Sequence, residues 1–284
     1  MKLDGKRILI TGVLTRESIA FAIAKQAQEY GAEIILTSFG RQRRLTERTA
    51  KRLGNPEILD LDVTNDEDFH RLADELMDRW GSLDGMVHSI AHAPPSAMGG
   101  RFMDSPKDAI MYALDVSAVS LKTLSHALTP LFEASGGGSI VSIGFNSYHA
   151  WPGYDWMGVA KTALEAINRY VAFNLGPIGV RANIVSAGIL KTEAARAIPG
   201  FHFGAKLWRQ QAPIGWEADD PYPVADAACF LLSDAGRGIS GEILNVDGGR
   251  HAVGGAMAVG GDGELVVVGA GAPQQLIATS NAGS

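Results

Sequence analysis

A doubly wound α/β fold in a single domain follows from three observations on the 284 residues. Short apolar runs alternate with longer helical patterns along most of the chain. Those runs are β-branched and continuous, without the polar alternation of a sheet wetted on one face, which suits parallel strands covered by helices on both sides. The first run passes through a glycine turn straight into an amphipathic helix, the order that a phosphate-binding strand–turn–helix requires.

In order, RILIT (7–11) is the first strand, and a helix begins near Ser18 and ends at the GAE signal. EIILT (33–37) leads into a helix through RRLTERTAKRL, and ILDLDV (58–63) into DEDFHRLADELMDRW. LDGMVHSI is the fourth strand, followed by one long helical stretch from about Pro106 to Ala134. GSIVSIG, a helix carrying Lys161, VRANIVSA and EILNVDGG complete the pattern. This is a Rossmann-like sheet occupying residues 1–252, with no Pro- or Ser-rich linker inside it. Residues 253–284 are rich in Gly and Ala and can bury little surface against their ordering entropy, so a flexible tail is expected. Within it ELVVVGA could pair as a short strand.

Composition removes several classes of function. A net charge of -6 and a pI near 5.6 lack the basic stripe of a nucleic-acid binder. The single cysteine, Cys229, lies in the apolar run VADAACFLL and reads as a core thiol, which excludes disulfides within the chain. The chain opens without a signal-like apolar region, and no run is long enough to span a bilayer, so a cytoplasmic protein without membrane insertion is expected. The seven histidines show no metal-ligand spacing and no pairing with a Ser or Cys nucleophile, so no metal site and no role for them is expected.

TGVLTRESIAFAIAK retains only Gly12 of a G-x-G-x-x-G fingerprint, a weak signal alone. The amides at the start of the following helix, near Ser18 and Ile19, would point at an anion, and a pyrophosphate suits that position. In GYDWMGVAK (153–161) the tyrosine and lysine are seven residues apart, about two helical turns, which would keep both on one helix face.

Gly12-x5-Ser18-Ile19-Ala20, LDV at 61–63, VHSIAHAP at 87–94, Tyr154-x6-Lys161 and VDGG at 246–249 occur in one order. Together they resemble the enoyl-acyl-carrier-protein reductases of type II fatty-acid synthesis, a divergent branch of the short-chain dehydrogenase/reductase superfamily. The resemblance covers about residues 2–252, and YDWMGVAKTALEA with APIGW leans toward actinobacterial members. It implies hydride transfer from NADH to the β-carbon of a trans-2-enoyl thioester, with charge collecting on the thioester oxygen.

The same resemblance implies that Tyr154 donates a hydrogen bond to that oxygen, that Lys161 holds the nicotinamide ribose, and that Phe145 lines the substrate site. Met157 stands four residues before Lys161, where the wider superfamily has its acidic tyrosine, and with Phe201 it is expected to face substrate. Gly12, Ser18, Ile19, Asp62, Val63, Ser89, Ile90, Ala91, Leu190 and Thr192 match cofactor-contacting positions, and Phe39 matches an adenine-stacking aromatic. No Asp or Glu ends the second strand, and Arg41 or Arg43 could meet a 2′-phosphate, so NADPH stays open beside NADH.

The acyl carrier protein and three further copies of the chain are the implied partners. A related short-chain carbonyl oxidoreductase and an inactive cofactor-binding module are the competing readings. EAARAIPGFHFGAKLWRQQ (193–211) is expected to form a mobile lid over the acyl chain. It is shorter than the mycobacterial counterpart, which favours medium-length acyl chains over those beyond about twenty carbons, each methylene being worth roughly 0.8 kcal/mol. Ala91 replaces the glycine usual in S-I-G, where diphenyl ethers such as triclosan stack in this family.

Overall fold

The computed structural model describes residues 2–196, 201–254, 257–259 and 265–267. Seven parallel strands form one sheet: β1 (Arg7–Ile10), β2 (Glu33–Ser38), β3 (Ile58–Asp60), β4 (Gly85–His88), β5 (Gly138–Phe145), β6 (Val180–Ala187) and β7 (Ile243–Val246). Their order is β3-β2-β1-β4-β5-β6-β7, so the winding direction reverses between β1 and β4. That reversal opens a crevice beyond the carboxyl ends of the two strands.

Both sheet faces are dry, as the unbroken apolar runs require. Ile8, Ile10, Val87, Val141 and Val185 pack with α1 (Ile19–Glu29) and α10 (Tyr222–Leu232) on one side. Leu9, Met86, Ile140 and Ile184 pack with α3 (Asp66–Trp80), α5 (Ser120–Ala127) and α7 (Asp155–Leu175) on the other. Cys229 is fully buried, and burial pushes its thiol up to about 12, which leaves it a packing residue. Helix α2 (Arg43–Ala50) is tied to the end of β2 by a 2.8 Å hydrogen bond between the hydroxyls of Ser38 and Thr46.

The single helix expected from about Pro106 to Ala134 is instead three. Helix α4 (Lys107–Leu114) runs into a π-helical turn at Asp115–Val119, then α5, then α6 (Thr129–Ser135). Pro130 accounts for the second break, because proline is accepted in a first turn but not within a helix. The π turn is used: Ser117 Oγ accepts from the His92 amide at 3.0 Å and donates to the His92 carbonyl at 3.1 Å, tying this helix to the loop after β4.

The expected lid carries α8 (Glu193–Arg196) and α9 (Phe201–Gln211); residues 197–200 and the side chain of Phe201 lie outside the described residues. In the tail, β8 (Met257–Val259) pairs antiparallel with β9 (Leu265–Val267), the ELVVVGA segment, and residues 268–284 lie outside the described residues.

Candidate active site

Two loops meet at the crevice. Gly12 has a φ of +82°, and a Cβ there would stand 2.0 Å from the Ser89 carbonyl oxygen, so only glycine lets the β1 and β4 loops touch. Thr11 Oγ1 donates to the Val87 carbonyl at 3.0 Å and accepts from the Ser89 amide at 3.0 Å, which locks the contact. Ser18 caps α1 through its backbone only, since its hydroxyl turns back to the Thr15 carbonyl at 2.6 Å. The first-turn amides, Ile19 and Ala20 among them, therefore find no acceptor inside the helix. Thr15 Oγ1 is buried without a hydrogen-bond partner. A glycine cradle, a helix start and an unsatisfied hydroxyl in one place fit the pyrophosphate of a dinucleotide.

In the loop after β3, Asp62 Oδ1 accepts from the Thr64 amide at 3.0 Å and its hydroxyl at 2.7 Å, a side-chain turn that shapes that loop. Val63 is buried beside it, and Phe39 follows β2, partly exposed. Arg43 is committed elsewhere, to Asp60 at 2.6 Å, Glu47 at 3.2 Å and the Ile58 carbonyl at 3.0 Å. Of the two arginines considered for a 2′-phosphate, Arg41 is the one that stands exposed.

Beyond β6, Leu190 is buried, and Thr192 Oγ1 accepts from the Ala195 amide at 3.1 Å, starting α8. Ser89, Ile90 and Ala91 leave β4 at the same end of the sheet, with Ala91 exposed.

Strand β5 ends at Phe145, whose ring meets Tyr154 edge-on at 5.2 Å, Trp151 at 5.6 Å and Trp208 at 5.6 Å. Trp151 and Trp208 stack at 5.3 Å, and the Arg250 guanidinium lies 5.9 and 6.0 Å from their ring centres. Trp208 Nε1 donates to the Asp247 carbonyl at 3.0 Å, so α9 is pinned over this aromatic group. Tyr154 lies along Gly158, where a Cβ would stand 3.5 Å from its ring. Burial raises the Tyr154 phenol well above its ordinary range, which keeps it a hydroxyl donor.

Lys161 is 7% exposed, and its Nζ donates to the Ile143 carbonyl at 2.8 Å. Desolvation lowers its ammonium to about 8. Below it lies His88, fully buried on β4, with Nε2 2.9 Å from Ser120 Oγ and Nδ1 without a partner. Because Ser120 Oγ donates its own proton to the Val116 carbonyl at 2.7 Å, His88 carries its proton on Nε2. Burial first, and the Lys161 charge second, bring its imidazole down to about 3.

One expectation is modified. Helix α7 begins at Asp155, not at Tyr154, and Asp155 has a φ of +42°. The left-handed residue interrupts the helical phase, so two regular turns do not set the direction of the Tyr154 side chain. Met157, 6% exposed, packs one turn inside, its amide bonded to the Tyr154 carbonyl at 3.0 Å. His88, Trp151 and Asp155, to which the motifs assigned no role, lie next to the predicted residues, and Trp208, expected only as part of the lid, packs on Phe145 and Trp151. A tryptophan in each of two distant glycine-rich stretches was the available signal. Among the described residues no group of His, Cys, Asp or Glu is arranged for a metal ion, and no helix is long and apolar enough to cross a membrane.

A family model described as enoyl-(acyl carrier protein) reductase matches residues 12–251. A protein named enoyl-(acyl-carrier-protein) reductase (NADH) from Mycolicibacterium smegmatis is 44% identical over 262 residues, covering 87% of this chain and 96% of that protein. One of that name from Aquifex aeolicus is 38% identical, covering 89% and 93%. An NADPH-named counterpart from Staphylococcus aureus is 34% identical, covering 89% and 99%.

Proposed function

The chain belongs to the enoyl-(acyl carrier protein) reductase family, and from that premise we propose how its own residues carry out the NADH-dependent reduction of an enoyl thioester in fatty-acid elongation. When bound, NADH supplies the hydride that reaches the substrate β-carbon. Gly12, Ser18, Ile19 and the β4 loop Ser89–Ala91 hold the dinucleotide along the crevice; Phe39, Asp62 and Val63 border the adenine. Leu190 and Thr192 border the nicotinamide end, where Lys161 holds the ribose hydroxyls.

The work of the protein in this reaction is charge stabilisation. Tyr154, kept protonated by its surroundings, donates to the thioester oxygen as negative charge gathers there, a contribution of about 3 kcal/mol for one well-placed donor. Lys161 adds positive potential from the same side. Phe145 and Met157 confine the enoyl group, with Phe201 on the lid. The observation that carries this reading is the Phe145–Tyr154 ring contact beside a buried lysine. Met157 argues against a carbonyl reductase, because a thioether cannot serve as the acid one turn before Lys161.

Residues 1–252 act as the reductase domain and 253–284 as an appendage to it. The substrate is carried on an acyl carrier protein, and the enzyme works in the cytoplasm as a homotetramer. Met111 and Tyr112 on α4, Val119 in the π turn that follows it, and Tyr170 and Phe173 on α7 are exposed apolar groups that support self-association. Tyr154→Phe is the direct test, with NADH oxidation followed on crotonyl and dodecenoyl thioesters. Turnover should fall about a hundredfold while NADH affinity holds; unchanged turnover would remove Tyr154 from the chemistry.

A further inference from the structure

The backbone beside Tyr154 is held in an unusual way. Asp155 is one of two non-glycine residues with positive φ among those described, at +42°. Its Oδ2 accepts from the Gly100 amide at 2.6 Å and from the Arg101 amide at 2.9 Å. On one side of it the Gly99 amide donates to the Gly153 carbonyl at 2.9 Å. On the other, Trp156 Nε1 donates to the Phe102 carbonyl at 3.0 Å, and the two rings stack at 4.8 Å and 10°. Residues 153, 155 and 156 are thus stapled to residues 99–102. Tyr154 is absent from that staple: its ring meets Phe145 and lies along Gly158.

Resting on the reading of Tyr154 given above, we propose that Asp155 is its positioning residue: the carboxylate grips the 99–101 loop, holds its own left-handed turn, and so aims Tyr154 at the substrate. A regular helix through 154 and 155 would rotate Tyr154 to a different azimuth, since each residue advances about 100° around the axis. Aspartate and asparagine tolerate left-handed geometry better than other side-chain-bearing residues. Both loop amides converge on one oxygen, so a neutral amide oxygen can replace it, and negative charge is not the requirement. Trp156 and the glycines at 99, 100 and 153 make the approach of the two segments possible, but only Asp155 joins the loop to the residue that sets the tyrosine's direction.

Three substitutions separate the parts of this claim. Asp155→Asn keeps both the acceptor and the backbone preference, Asp155→Gly keeps only the backbone freedom, and Asp155→Ala keeps neither. With crotonyl thioester, Asn should stay within about twofold of the parent. Gly and Ala should lose about tenfold to a hundredfold in kcat, as for a displaced catalytic group, with NADH Kd unchanged and a cooperative thermal transition retained. An Asn variant as impaired as Ala, a Gly variant equal to the parent, or a loss confined to NADH Kd would each overturn the proposal. Should Ala not fold, the Asn and Gly pair carries the comparison. In a Tyr154→Phe background Asp155→Gly should cause no further loss, because its effect passes through the hydroxyl; an additive loss would also overturn it. Full activity of Tyr154→Phe alone would instead sink the reading of Tyr154, so the two failures are distinguishable.

Discussion

Lys161 is tethered to Ile143: its ammonium donates to the carbonyl of that β5 residue, 2.8 Å away. The charge is therefore held by the same strand that ends in Phe145, and its position does not depend on a flexible side chain. Its ammonium is lowered to about 8, so it is protonated below that pH and loses its charge as pH rises through it. NADH affinity, followed by fluorescence titration, should weaken across that interval. Lys161→Ala should bind NADH weakly at every pH, with the step gone. A parent profile flat through pH about 8, or a step that survives in the variant, would remove the assignment.

His88 predicts a pH dependence of stability. Its imidazole is brought from 6.5 to about 3 by burial, so between those values the unfolded chain binds a proton that the folded chain does not. Folding should then lose about 1.4 kcal/mol per pH unit as pH falls through that window. Denaturant unfolding at several pH values should show that slope in the parent and a shallower one in His88→Gln. Parallel slopes would place the acid sensitivity elsewhere.

Trp208 packs against Trp151 and Phe145, and on the proposed reading it borders the path of the acyl chain. Replacing it by Ala removes an indole that is 2% exposed and should cost roughly 3 to 5 kcal/mol of stability. It should also shift kcat/KM from dodecenoyl toward hexadecenoyl thioester. The parent should prefer medium chains over those beyond about twenty carbons, each extra buried methylene being worth roughly 0.8 kcal/mol. An unchanged ratio between the two thioesters would show that the acyl chain leaves by another route.

Ala91 is exposed on the loop after β4, close in sequence to the Gly12–Ser89 contact. A rigid diphenyl ether stacked beside the nicotinamide would meet its methyl, whereas a flexible acyl chain can bend around it. Ala91→Gly should therefore tighten triclosan inhibition by roughly tenfold to a hundredfold, the equivalent of about 1 to 3 kcal/mol. Superimposable inhibition curves would mean that the backbone already accommodates the methyl.

The sheet was legible because its strands are buried on both faces, which leaves continuous runs such as ILI and IVSI in the chain. Gly12 was legible as a turn, and its close approach to Ser89 is what the structure adds. Cys229 was readable as core from its neighbours alone. The π turn in the long helical stretch was not, since hydropathy does not register one extra residue in a turn. Nor was the sign of φ at Asp155, because a polar residue after a tyrosine has the same pattern in either backbone region. His88 was set aside for lack of metal spacing. Its significance comes from burial below a lysine far along the chain, and no local window contains both. The Trp151–Trp208 stack is invisible for the same reason, as it joins the approach to α7 with the lid.

The π turn at Asp115–Val119 bears on how this protein can accept insertions and deletions. A π turn holds one residue more than the α-helical turn it replaces. Losing one codon there would make the helix more regular, and a helix-propensity score would register an improvement. Yet everything on one side of the deletion would rotate by about 100° relative to the other. Ser117 would swing away from His92, whose amide and carbonyl it holds. The loop carrying Ser89, Ile90 and Ala91 would lose an anchor. In this stretch the irregular helix is the adapted form, and a one-residue deletion should be tolerated far less well than most substitutions of the same residues.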